Sequence, residues 1–142
     1  MTPESQTAEA LIELVVVGAH LSGMPLNHEL VALEAKFLRT DATTADYRLF
    51  ELPGATPRKP GLLRIEAGAG TPIDVEVWAL APAAFGLFVS RIPSPLGIGT
   101  LTLRSGASAK GFLVEEIAVR DAKDVSAFGG WRAYRESAES AA

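Results

Sequence analysis

The run Leu11-Ile12-Glu13-Leu14-Val15-Val16-Val17 is almost wholly apolar and stops abruptly at Gly18. A short β-branched stretch with apolar residues on both sides reads as a buried central strand, Leu11 to Val17. It empties into Gly18-Ala19-His20-Leu21-Ser22-Gly23-Met24-Pro25-Leu26, and Asn27 then caps a short helix through about Glu34. A strand that ends in a glycine-containing loop before a helix leaves backbone N–H groups unpaired and facing outward. Such a loop suits a carboxylate or other oxyanion. His20 places a group that titrates near neutrality in the middle of it.

The rest of the chain limits what can surround this unit. With 142 residues, 48% of them hydrophobic, the expectation is one domain with a real core, residues 11–138, after a flexible N-terminal segment at 1–10. Strand-like stretches run from Ala35 to Thr40, Asp46 to Leu52 and Leu62 to Glu66. Ile73 to Leu80 alternates apolar and polar residues, the pattern of a half-buried antiparallel strand. Pro82 starts a helix carrying Phe85, Phe88, Val89 and Ile92, which stops at Pro93-Ser94-Pro95. Gly99 to Arg104 and Lys110 to Val119 form a hairpin around Ser105-Gly106, and a C-terminal helix begins near Gly129-Gly130-Trp131. Strands outnumber helices without regular alternation. The expected class is therefore α+β, a small mixed β-barrel with peripheral helices.

Charge and cysteine usage remove whole classes of partner. A formal net charge of −4 with scattered Lys and Arg argues against nucleic acid. The absence of cysteine excludes disulfides and thiolate metal sites and makes a cytoplasmic location the expectation. No apolar run approaches the ~20 residues of a membrane helix, so no membrane partner is expected.

Within that frame His20 is the natural general acid or base; its plain alternative is a histidine that fixes the loop. His28, in the first helical turn, reads as solvated. Two histidines eight apart with no carboxylate cluster beside them match no metal spacing, so neither metal nor cofactor is expected. Ser22 lies outside any Gly-x-Ser-x-Gly elbow and serves as a hydroxyl donor or a turn residue. Arg58-Lys59, set between prolines, can aim a cation at an anion or simply face solvent. Pro93-Ser94-Pro95-Leu96-Gly97-Ile98-Gly99 is stiff at one end and open at the other, and its glycines let a ligand approach the backbone, or it is only a helix-to-strand connection. Glu115 and Glu116 are adjacent and face opposite ways in a strand, so they are not a carboxylate pair. Trp78, Phe85, Phe88 and Phe112 are most simply core.

Five strings together carry a resemblance: Val17 to Asn27, Pro57-Arg58-Lys59-Pro60-Gly61-Leu62, Glu76-Val77-Trp78, Ile92 to Gly99, and Phe128-Gly129-Gly130-Trp131-Arg132. In this order, from about residue 12 to 135, the chain resembles the C-terminal domain of allophanate hydrolase. The resemblance implies a γ-glutamylcyclotransferase-like fold. It also implies metal-free, cofactor-free decarboxylation of N-carboxycarbamate, the second step of allophanate breakdown to ammonia and CO2 in urea-derived nitrogen metabolism. On that likeness His20 is the catalytic proton donor, and N–H groups of the 18–23 loop hold a carboxylate. Ala19, Leu21, Ser22, Gly23 and Met24 are then substrate contacts, with Pro95, Leu96 and Gly97 on a further wall. Arg58 or Lys59 balances the second charge of a small dicarboxylate-like substrate. The family's amidase domain does not fit within this length, so the chain is either an excised domain or a stand-alone relative, and a separate amidase is a candidate partner. A homodimer stays open. Two other readings stand beside this one: a non-catalytic assembly module for an amidase, and a γ-glutamyl cyclotransferase. The last is disfavoured because Ile92-Pro93-Ser94-Pro95-Leu96 offers no acid where that activity needs one.

Overall fold

The computed structural model describes residues 10–141, and the side chains of residues 10–139. The expected flexible segment therefore lies, apart from Ala10, outside the described residues.

The opening strand forms as its composition requires. β1 (Ile12–Val16) sits in the middle of a five-stranded sheet, and Leu14, Val15 and Val16 are wholly buried. Burying each such side chain contributes about 1.5–3 kcal/mol. After α1 (Asn27–Ala32) come β2 (Lys36–Ala42), β3 (Tyr47–Glu51), β4 (Pro60–Arg64) and β5 (Asp74–Leu80). α2 (Pro82–Ser90) leads into the hairpin of β6 (Leu96–Thr102) and β7 (Ser108–Val114). A two-residue β8 (Lys123–Asp124) and α3 (Trp131–Ala141) complete the chain.

The strands make two sheets, β2-β5-β1-β7-β6 and β4-β3-β8. Among the described residues all pairings are antiparallel except β1 with β7. The α+β class stands, but the barrel does not: neither sheet closes on itself. The edges β2 and β6 meet only just past their ends, at the single bridge Thr43–Leu103. The β3–β4 hairpin does not close the gap: with β8 it forms the separate sheet β4-β3-β8. β4 crosses over β7 without pairing, with Gly61 packed on the Val114 side chain.

Three local expectations also change. The hairpin strand expected to run to Val119 ends at Val114, and Glu116–Val119 is a short 3-10 turn, so Glu115 and Glu116 are not in a strand. Asn27 is the first residue of α1 rather than its cap; the cap position is Leu26, without a side-chain hydrogen bond. The Asn27 amide instead donates to the His20 carbonyl at 2.9 Å, tying helix to loop. β5 is buried along its length except for Asp74, not half-buried, because it is flanked by β2 and β1 and covered on both faces. Its polar residue Glu76 is therefore taken inside, at 4% exposure.

Candidate active site

Gly18 fixes where the loop after β1 goes. A Cβ at this position would collide with the ring of Pro60, so only glycine lets the loop lie against the start of β4. That packing brings Lys59, the residue before Pro60, alongside the loop. A turn closed by Leu21 N–H to Gly18 O, 3.0 Å, then presents Ala19 and His20. Among the described residues the amides of Ala19 and His20, inside that turn, have no acceptor.

His20 enters a cavity of about 510 Å³ bounded by the loop, α1, the end of α2 and β7. Its ring stacks on Phe112 (centroids 5.2 Å, 22° between planes) and meets the edge of Phe88 at 5.1 Å. Nε2 lies 2.7 Å from Glu29 Oε1, on the first turn of α1. Every buried side-chain nitrogen or oxygen among the described residues has a partner, and Nδ1 has none, so Nδ1 is accessible. Burial holds the imidazole pKa below its ordinary 6.5. The Glu29 hydrogen bond and charge only partly offset this, and Lys59 and His28 add to it. Lys59, Arg91 and His28 also line the cavity, and neither Lys59 nor Arg91 is in an ion pair among the described residues. The arrangement is an apolar chamber with unpaired cations and one titratable group whose proton the chamber disfavours. An anion entering beside the ring favours its protonated form and so opposes that preference.

The far side of the loop is fixed differently. Ser22 N–H and Ser22 Oγ both donate to Glu76 Oε1 at 2.9 Å, and Trp78 Nε1 donates to the same oxygen at 3.1 Å. Arg132 of α3 reaches Glu76 Oε2 at 3.2 Å and the Ser22 carbonyl at 2.7 Å. Burial alone would raise the Glu76 pKa, yet these donors hold it below the ordinary 4.5.

The structure thus brings His20, Ala19, Lys59 and Leu96 to one cavity and separates the other expected contacts from it. Leu21 is buried and faces a second cavity with Glu76 and Arg132. Ser22 holds a carboxylate, but the chain's own. Gly23 and Met24 do not line the cavity; Gly23 takes a left-handed turn (φ 80°) and Met24 packs on the core. Arg58 pairs with Glu51 at 2.6 Å. Pro95 and Gly97 face a separate groove along β6. Sequence reading missed Glu29 and Arg91, and took Phe88 and Phe112 for core alone when they are also the walls around His20. Glu29 carried one signal, an acid in the first turn of a helix whose loop is too short to travel far. No group of three His, Asp or Glu is placed to hold a metal among the described residues. No helix there is long and apolar enough to cross a membrane.

Residues 12–136 match the family model of the allophanate hydrolase C-terminal domain. A urea amidolyase of Saccharomyces cerevisiae is 43% identical over 128 residues, covering 88% of this chain and 7% of its own length. An allophanate hydrolase structure from Kluyveromyces lactis superposes with a TM-score of 0.86 at 39% identity, covering 90% of this chain and 21% of that one. A uropathogenic E. coli-specific protein superposes at 0.81 with 32% identity, covering 89% of this chain and 97% of the other. The chain therefore spans only a small part of the two enzymes and nearly all of the third protein.

Proposed function

The chain belongs to the allophanate hydrolase C-terminal domain family, and from that premise we propose that it decarboxylates N-carboxycarbamate, with His20 as proton donor. In the step one C–N bond breaks and its electron pair stays on nitrogen. CO2 leaves, and the nitrogen takes a proton from His20 to give carbamate. The observation that carries this reading is the imidazole packed against both Phe88 and Phe112, with Glu29 on Nε2 and Nδ1 open. A dianion beside it favours the imidazolium that the empty chamber disfavours, so the proton is loaded when substrate binds. Lys59 and Arg91 supply charge for two carboxylates, and the free amides of Ala19 and His20 supply donors. Of the 18–23 loop, the amides of Leu21 and Ser22 are already spent on Gly18 and Glu76.

The assay follows CO2 released from N-carboxycarbamate formed in place by an amidase acting on allophanate. Rate above the spontaneous background is the quantity measured. Wild type accelerates release, and His20→Ala loses about 100-fold or more of that acceleration while staying folded. Correctly folded wild type giving no acceleration overturns the proposal. The assembly-module reading draws support from the small share of the K. lactis enzyme that the chain spans. In that case His20→Ala leaves the partner amidase and CO2 release unchanged. A cyclotransferase draws no such support: Ile92, Pro93 and Leu96 line the cavity without an acid, and Glu29 is bonded to His20.

A further inference from the structure

N-carboxycarbamate has seven non-hydrogen atoms. Even at the roughly 30 Å³ that a water molecule occupies in the liquid, seven such atoms fill about 210 Å³. The cavity holds about 510 Å³, within the range of roughly 300–1,000 Å³ that accommodates far larger ligands. Most of the lining is apolar, so ordered water finds few partners across it. Leu26, Leu33, Phe88, Ile92, Leu96 and Phe112 line the cavity, and water held there would need two to four polar partners. The cationic lining groups outside the histidines, Lys59 and Arg91, are few beside these apolar ones.

We infer that the cavity accepts a carboxylate pair bearing an apolar substituent about the size of a phenyl ring, so that its ligands include N-substituted carboxycarbamates and substituted malonates. The inference rests on the dianion reading of the His20 site. Chemistry at the reacting end is unaltered: the C–N bond to one carboxylate breaks, CO2 leaves, and the substituted nitrogen takes the His20 proton to give an N-substituted carbamate.

Calorimetric titration of the chain with malonate and with benzylmalonate, at one pH, separates the two claims. Malonate keeps the two carboxylates and replaces the scissile nitrogen with carbon. Expected are binding of both, mutual competition, and a dissociation constant at least about tenfold lower for benzylmalonate, the gain of burying a phenyl group. Ile92→Asn brings the ratio of the two constants toward one. Malonate binding with benzylmalonate equal or weaker overturns this inference and leaves the decarboxylase reading standing. Benzylmalonate binding without malonate keeps the apolar site and overturns the small-dianion reading. Binding of neither overturns both.

Discussion

On one side of the 18–24 loop, Glu29 meets His20 from an exposed helical turn; on the other, Glu76 meets Ser22 from the middle of a buried strand. Both are carboxylates on short hydrogen bonds, yet their settings differ. Glu29 is 46% exposed and makes one contact, to a ring that can gain or lose a proton. Glu76 is 4% exposed and accepts from two groups of Ser22, from Trp78 and from Arg132. The first contact is adjustable and the second is fixed. A loop pinned from behind can present a group whose charge changes without the backbone following it.

The contrast breaks most visibly at Glu76. Glu76→Ala leaves Ser22 N–H, Trp78 Nε1 and Arg132 without their acceptor and costs about 3 kcal/mol of stability. Glu76→Gln keeps one oxygen acceptor and costs about 1 kcal/mol; urea unfolding ranks the two. Gly18→Ala attacks the joint between loop and β4, since its methyl meets the Pro60 ring. Overpacking of this kind costs roughly 2 kcal/mol, and malonate affinity falls with it because Lys59 moves away.

Acid separates the two sides by pH. The folded-state pKa of His20 lies below 6.5, so the unfolded chain binds more protons between that value and 6.5. Stability therefore falls as pH drops through this window, and His20→Ala removes the loss. Glu76 is held below 4.5, so its contribution is full above 4.5 and disappears as pH falls through the folded value. Asp41, Glu51 and Asp124, also lowered, share this second loss. The smallest effect on stability is at the adjustable side. Glu29→Gln changes unfolding by about 0.5 kcal/mol or less. It lowers the His20 pKa further, and catalysis slows by at most roughly tenfold for each unit by which the imidazolium is destabilised, because a more acidic imidazolium also donates more readily.

Most of the elements could be read from the chain because each depends on neighbours in sequence. The Leu11–Val17 strand, the proline-started helix at Pro82 and the hairpin around Ser105-Gly106 carry their own periodicity and turn chemistry. The expected barrel fails because β3 and β4 join β8 in a sheet of their own, and β8, two residues long, has no pattern to show. Half of the site was equally legible. His20 stands out as a histidine in a loop after a buried strand, and Lys59 through its proline frame. Glu29 showed only as an acid in the first turn of a helix close behind the loop, and Arg91 not at all, since nothing in a helix-terminal arginine indicates the cavity it borders. Arg58 and Lys59 are neighbours of the same charge, and only the Glu51 partner tells them apart.

The most direct test of a titratable group on a fixed loop is an NMR titration of the His20 ring, free and with malonate, its resonances assigned through His28→Asn. The free protein gives a pKa below 6.5, and malonate raises it as the dianion stabilises the imidazolium. A His20 pKa that malonate leaves unmoved contradicts the account, because the ring then neither senses the ligand nor holds a proton for it.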